Sequence, residues 1–405
     1  MAPTLSLTAY LAIARREAQG WHPPERARSA VPMIWIHCAD TRRARAMAHL
    51  GLRLAAQRGD AQVLLTVPAR TRNLPGLPDG VTLTSAPGEN PNDIGKFLDY
   101  WHPEVLIYLG PDVRPALTLK AHQRGIPLFL IDADELRLEL RSARWLPDTL
   151  RATLSLFTHI FARDAACGFR LRRMLGTLAP VSDSGPVLDE SPALGCNETD
   201  LEELNSSLRA RPLWLAAHVQ PQELPIILMA HRATMRLSPR LLLILVPDSA
   251  ADAAAMRDEC KDASWRVRNW DDAEMPEERT QILLAENREE LGLFYRVAPI
   301  SLMGSSLVPG KGGRNPLEPA ALGSAILYGP GIRNHLDAYS RLARAGAARI
   351  VKDADSLSAA LANLMAPDQV AQMVHAGWES VSEGAVVVDH IVDVISDHLD
   401  KTGGR

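Results

Sequence analysis

A chain of 405 residues, 46% hydrophobic and 23% charged, has room for two or three domains with sizeable cores. Its formal charge of −4 gives no global electrostatic case for a nucleic-acid partner, and no run approaches the roughly 18–20 apolar residues of a membrane span. Cys38, Cys167, Cys196 and Cys260 lie far apart without CxxC or CxxxH spacing, which favours free thiols in a reducing cytoplasm over disulfides or zinc.

Leu5–Ala14 is apolar but short, and Arg15-Arg16 follow it on the wrong side for a signal peptide. Two readings stand: an amphipathic helix lying on a membrane surface, or a helix packed on its own domain. Beyond it, short apolar runs predict strands near Met33–His37, Gln62–Val67, Val81–Leu83, Val105–Leu109, Pro127–Ile131 and His159–Ala162. Helical patterns lie between them, at Arg42–Arg58, Pro91–Trp101, Val113–Arg124, Glu135–Ser155 and Asp164–Leu175. Such alternation argues for a parallel sheet wound on both faces by helices. Arginines gather from Arg137 to Arg173, among them Arg141, Arg144, Arg151, Arg163, Arg170 and Arg172. They read either as a face toward anionic lipid or phosphorylated headgroups, or as a solvated helix surface.

Ser182–Asp200 is rich in Pro, Gly, Ser and acids and breaks the rhythm, so it is the natural linker. After it, strands are predicted near Leu213–Ala217, Leu241–Val246, Trp265–Arg268, Ile282–Leu284, Ile300–Met303, Ala325–Tyr328 and Arg349–Val351. Helical Leu357–Leu364 and Gln369–His398 close the chain. The expected domains are 1–185, a linker over 186–200, and 201–405. Ligands of such sheets lie outside the carboxyl ends of strands, which points to the segments after Val67, Leu109, Ala217, Val246 and Met303.

The densest signal is Leu291–His335, LGLFYRVAPISLMGSSLVPGKGGRNPLEPAALGSAILYGPGIRNH. A strand leads into Gly304, Ser305 and Ser306, then into Gly310, Gly312 and Gly313, before Asn315-Pro316-Leu317-Glu318 opens a helix. Glycine lets backbone approach a ligand, and a helix start favours negative charge. The same four residues also fit a purely structural reading, with Asn as N-cap, Pro at the first helical position and Glu closing a capping-box-like pattern. The Ser305 and Ser306 hydroxyls and N–H groups read as ligands for a carboxylate or phosphate, or as groups satisfying their own turn. Lys311 and Arg314 are a cation pair able to neutralise a phosphate, or two solvated loop charges.

The words GLFYRVAP, GSSLVP, GGRNPLEPAALG and YGP resemble the donor-binding region of the 3-deoxy-D-manno-octulosonic acid (Kdo) transferases. IWIHCAD (Ile34–Asp40), RPLWLAAH (Arg211–His218) and LLLILVP (Leu241–Pro247) extend the resemblance over most of the chain. It implies a GT-B fold, two doubly wound Rossmann-like domains facing a cleft, the first taking the acceptor and the second the nucleotide sugar. It implies inverting transfer of Kdo from CMP-Kdo to a lipid A precursor or related saccharide. No cofactor and no metal are implied, and the place of work is the cytoplasm, peripheral on the inner membrane. By the same resemblance Gly312, Gly313, Asn315 and Glu318 border CMP.

Departures from the family pattern are specific. A glutamate six residues after the strand-ending His is the presumed general base there; counting from His37 lands on Arg43, which cannot deprotonate. Asp40 is the candidate to replace it, its other reading being a helix N-cap. Where the family has an acidic stretch leading to Trp-Pro-Asn, only Asp112 and Pro115 remain on the acceptor side. His218-Val219-Gln220 replaces Ser-Thr-His, Asp248-Ser249 replaces Arg-His, Arg314 stands for a His in a turn one residue longer, and Asn334 alone survives of a His-Thr-Phe-Asn pattern. Asp248 near an anionic donor is expected to weaken binding, and Arg333 to restore positive charge. Two further readings follow from these losses: a catalytically inactive paralogue with a binding or regulatory role, and a transferase of altered donor or acceptor specificity.

Overall fold

The computed structural model describes residues 5–24, 31–59, 61–68, 74, 77–138, 148–188, 194–209, 211–286 and 288–403. The chain forms two compact units, Met1–Glu190 with Gly384–Arg405, and Ser191–Glu383.

Unit 1 is built on a parallel sheet of β1 (Met33–Cys38), β2 (Gln62–Val67), β3 (Val81–Ser85), β4 (Val105–Leu109), β5 (Leu128–Ala133), β6 (His159–Ala162) and β7 (Val181–Asp183). Their order is β3-β2-β1-β4-β5-β6-β7. β1 and β4 are buried at every residue, as a parallel sheet covered on both faces requires. β7 was not predicted: it runs into the start of the Pro- and Ser-rich Ser182–Asp200 stretch, which hid it. The predicted Glu135–Ser155 helix is also corrected: Arg137–Leu138 pairs in parallel with Asp112–Val113, and among the described residues of that range only Thr149–Leu154 is helical. Arg141 and Arg144 lie outside the described residues.

The first helix, Leu5–Ala14, packs on its own unit. Leu7, Tyr10 and Ala14 are buried in the core, and the Tyr10 hydroxyl donates to Glu89 Oε2 at 2.8 Å. Its opposite face, led by Leu5, is exposed.

Unit 2 repeats the plan with β8 (Leu213–Val219), β9 (Leu242–Pro247), β10 (Val267–Asn269), β11 (Ile282–Leu284), β12 (Ile300–Met303), β13 (Ala325–Tyr328) and β14 (Ala348–Ile350). The order is β10-β11-β9-β8-β12-β13-β14, again parallel. In both units the strand order reverses beside the first strand, between β1 and β4 and between β8 and β12. Those are the switch points at which doubly wound sheets bind ligands.

One boundary differs from the sequence expectation. The last helix, Pro367–Gly403, begins in unit 2, but Val388, Ile391, Val392, Ile395 and Leu399 are buried in the core of unit 1. Their helical spacing forms one apolar stripe, and burying each such side chain is worth about 1.5–3 kcal/mol. Residues 384–405 therefore belong with the first domain, not with 201–383.

Among the described residues no helix is long and apolar enough to cross a membrane. None of the four cysteines is in a disulfide.

Candidate functional site

At the unit 2 switch point β8 ends in a bulge. His218 adopts φ +55°, and the register against β9 shifts between Ala216 and Val219. Bulges re-aim side chains, and here His218 is turned inward, 7% exposed, with Nδ1 3.6 Å from Asp248 Oδ1 at the end of β9. Arg314, from the loop after β12, meets the same carboxylate in a two-point pair, Nε to Oδ1 at 2.7 Å and Nη2 to Oδ2 at 2.5 Å. Burial works to raise the Asp248 pKa, but His218 and Arg314 outweigh it and hold the carboxyl well below the usual range. Burial lowers the His218 pKa, and Arg314 adds to the effect. Asp248 is thus not a bare negative charge facing a donor: its charge is matched by Arg314. That revises the repulsion expected from the sequence.

Across the switch point, β12 runs into Gly304, whose Cα faces the β8 carbonyls so closely that a Cβ would sit 2.5 Å from the His218 oxygen. Ser305 follows at φ +56°. The next three N–H groups converge on one buried carboxylate, Glu223. Its Oε2 accepts from Ser305 at 2.8 Å, and its Oε1 from Ser306 at 3.0 Å and Leu307 at 2.8 Å. Oε2 also takes the Gln220 N–H at 2.9 Å. The hydroxyls are engaged as well: Ser305 Oγ donates to the His218 carbonyl at 3.0 Å, and Ser306 Oγ accepts the Gly329 N–H at 2.7 Å. Ser305 and Ser306 are fully buried. The expectation that they bind a donor carboxylate or phosphate is corrected: the chain supplies its own carboxylate to that nest. Glu223 escaped the sequence reading. Its signal was the Gln220-Pro-Gln-Glu223 capping box, in which Glu223 reaches back to the cap.

Beyond the serines the loop turns at an exposed Gly310 and at buried Gly312 and Gly313. Gly312 and Gly313 have φ +84° and +77°. Gly313 N–H donates to Ser305 O at 3.0 Å. Asn334 pins the turn from outside, its own N–H donating to Gly312 O at 3.0 Å and its Nδ2 to Lys311 O at 3.1 Å. A Cβ on Gly312 would strike the Asn334 side chain at 2.5 Å, so the pair requires glycine. Asn334 therefore holds the turn's shape and is itself exposed, as is Lys311. Arg333 is exposed too and donates to Gly310 O at 3.1 Å. Asn315 and Glu318 sit half-buried on the far side of the glycines. Asn315 Oδ1 accepts the Leu317 N–H at 3.1 Å, and its Nδ2 donates to Glu318 Oε1 at 3.3 Å. The capping role is present, with Asn315 one residue further from the helix than expected. The Arg314 carbonyl accepts from the buried Tyr339 hydroxyl at 2.9 Å, fixing where the loop enters that helix.

Unit 1 has a comparable edge with different contents. Ala39 N–H donates to Leu109 O at 2.8 Å, and Gly110, at φ +140°, is pressed against Ala39. Asp40 precedes a 3-10 turn, Thr41–Arg43; its carbonyl accepts the Arg43 N–H at 2.9 Å. Cys38 Sγ also donates to that carbonyl at 3.0 Å, and burial, with Asp40 nearby, pushes the thiol up to about 12. Asp40 itself is half-buried, and Arg43, not Asp40, occupies the N-cap of the Ala44–Gln57 helix. Arg43 is drawn to Asp132 at 2.7 Å. Asp132 is a bulge residue at φ +52° in β5, its other oxygen accepting the Val187 N–H at 2.9 Å. Asp112 lies apart from this cluster, in an exposed ion pair with Arg137. Its remaining motif partner Pro115 starts a helix whose Ala116 N–H is taken by buried Glu89 at 3.0 Å.

Among the described residues no group of three or more His, Cys, Asp or Glu side chains is arranged to hold a metal ion.

The sequence of residues 14–185 matches the family model of the 3-deoxy-D-manno-octulosonic-acid transferase (kdotransferase). A 3-deoxy-D-manno-octulosonic acid transferase of Haemophilus influenzae is 28% identical over 78% of this chain and 74% of its own length. The enzyme of the same name from Bordetella pertussis is 27% identical over 92% of this chain and 90% of its own. A solved C-terminal CMP-Kdo binding domain of WaaA from Acinetobacter baumannii aligns with 45% of this chain and 96% of its own, at 23% identity and a TM-score of 0.43. The chain is therefore similar to the 3-deoxy-D-manno-octulosonic acid transferases, through the family pattern of residues 14–185 and through sequence likeness over most of its length.

Proposed function

We propose that the protein transfers Kdo, with inversion, from CMP-Kdo to a lipid A precursor in lipopolysaccharide biosynthesis. The observation that carries this reading is the turn from Gly310 to Glu318 at the unit 2 switch point. Its backbone is held by Asn334 and Ser305, and it opens onto Asn315 and Glu318 with Lys311 and Arg314 beside it. In this reading Gly312 and Gly313 let the cytidine monophosphate approach the backbone, Asn315 and Glu318 face the nucleoside, and the cations balance the phosphate. Arg314 keeps a guanidinium edge that Asp248 does not use. Cationic stabilisation of departing CMP supplies the larger part of catalysis.

The acceptor belongs to unit 1. Its hydroxyl attacks the anomeric carbon and gives its proton to Asp40, which sits half-buried at the end of β1. Arg43, with no lone pair to offer, orients through Asp132 and takes no proton. The setting is the cytoplasmic face of the inner membrane, with the protein attached peripherally.

A second reading has its own observation. The Arg43–Asp132 pair closes the position of the family's base, which favours a paralogue that binds the nucleotide sugar without turning it over. The altered pocket around Asp248 also suits a transferase of changed specificity.

The test is CMP-Kdo turnover by the full chain with a lipid A precursor, beside Asp40→Ala and Glu318→Ala. Kdo transfer abolished by Asp40→Ala with CMP binding intact supports the first reading. No transfer by the unaltered protein, with calorimetric CMP binding that Glu318→Ala weakens, selects the second. Absence of both sinks the site.

A further inference from the structure

The Ala165–Leu175 helix of unit 1 is held firmly on one side. Asp164 caps it, accepting the Cys167 N–H at 2.8 Å, while Cys167, Leu171 and Leu175 are buried in the core. Gly168 lies so close to Asp183 that a Cβ would sit 1.7 Å from its Oδ1. At 100° per residue the remaining positions sweep an outward arc of about 200°.

That arc is unusual in what it carries. Phe169 is 65% exposed and Met174 39%, and Leu178, just past the helix, is 46% exposed. Between Phe169 and Met174 on the arc stand Arg170, Arg173 and Ala166, with Arg172 and Ala165 just beyond Phe169, all exposed, and the arc carries no carboxylate of its own. Arg172 is paired with Asp183 at 2.9 Å, and Arg170 lies 3.8 Å from Asp134. Arg173 has no ion-pair partner among the described residues. Phenylalanine, methionine and leucine left in water beside arginines suit a partner that is apolar and anionic at once. A chain of formal charge −4 has no general attraction for such a surface, so the attraction must be local.

We infer that this helix face docks on an anionic bilayer surface, Phe169 and Met174 entering the headgroup boundary while the arginines meet lipid phosphates. The long arginine stems allow both at once, lying along the apolar contact with charged ends in the headgroups. The choice of a bilayer agrees with the lipid acceptor proposed above, but the contact is read without any turnover, so its failure and the failure of that chemistry are separable.

The experiment is sedimentation of the full chain with phosphatidylcholine vesicles and with phosphatidylcholine–phosphatidylglycerol vesicles, at low and physiological salt. Binding is expected only to the anionic vesicles and should weaken as salt rises. Arg173→Gln should weaken it about fivefold, and Phe169→Ser about tenfold. Both positions are exposed, so thermal unfolding should be unchanged and serves as the folding control. Equal binding to both vesicle types, or variants that bind as well as the parent, would overturn the inference. So would self-association lost in Phe169→Ser without vesicle binding, which would assign the face to a second copy, and so would binding of an RNA oligonucleotide in preference to vesicles.

Discussion

The two switch points are built from the same devices and left in different states. Each has a strand that bulges at a non-glycine residue in the left-handed region, Asp132 in β5 and His218 in β8. Each bulge turns a titratable side chain toward a charge from another element, Arg43 in unit 1 and Asp248 with Arg314 in unit 2. Such backbone costs about 1–3 kcal/mol per residue and persists only where surrounding contacts enforce it. In unit 1 the result is a closed ion pair. In unit 2 the pair lies beside a glycine turn that still presents backbone and polar side chains. The same backbone device can thus serve different ends: in one unit it aims a carboxylate at a single arginine, in the other it brings a histidine to a carboxylate that an arginine already neutralises.

Glu223 gives the sharpest way to break this comparison. Its carboxylate accepts four backbone N–H groups in a fully buried place. Glu223→Ala is expected to destabilise the protein by about 4 kcal/mol or more, read by urea unfolding. A loss below 1 kcal/mol would mean the nest is open to water or ligand after all. Next comes the unit 1 pair. Arg43→Ala strands Asp132, whose side chain is 7% exposed, and should cost about 2–4 kcal/mol. Arg43→Ala with Asp132→Asn should recover much of that loss, and a double variant no better than the single would deny that charge is what joins them.

Histidine titration tests unit 2 as a whole. Burial holds His218 below its ordinary value and lowers His231 to about 4. The unfolded chain accepts those protons below about pH 6.5 and the folded chain resists them. Stability from this source is therefore present above that pH and lost as pH falls toward 4. The slope is about 1.4 kcal/mol per pH unit for each histidine. His231→Gln should flatten the urea-midpoint profile between pH 6 and about 4.5 by about one proton, and an unchanged slope would contradict the assignment. The smallest effect belongs to the exposed Asp112–Arg137 pair: Asp112→Ala should shift stability by no more than about 0.5 kcal/mol. A larger shift, or a fall in acceptor affinity without a stability change, would return Asp112 to the acceptor site.

Strands were the easy part of the sequence, because parallel strands buried on both faces read as unbroken apolar runs such as Val105–Leu109 and Leu242–Pro247. The Asn315–Glu318 word was legible too, since a capping pattern depends on neighbours three residues apart. Contacts between distant residues were not. Arg314 and Asp248 are 66 positions apart, and neither segment by itself announces that the two will pair. Glu223 was passed over, because nothing local says that three N–H groups from beyond residue 304 will close on it. Asp132 follows the predicted strand Pro127–Ile131, with no local signal for the bulge that aims it. The periodicity of 388–399 declared a helix plainly but could not declare which sheet it would cover.

That final helix also fixes an order of events during synthesis. The face of the unit 1 sheet carrying Ile34, Ile36, Phe129 and Phe161 shares a core with Val388, Ile391 and Ile395. Those residues leave the ribosome only after the whole of unit 2. The unit translated first is thus the last to be completed, and it must wait, greasy and uncovered, while the whole of the other is made. Chaperone demand and sensitivity to premature stop codons should therefore concentrate in unit 1, although the missing codons lie beyond those of unit 2.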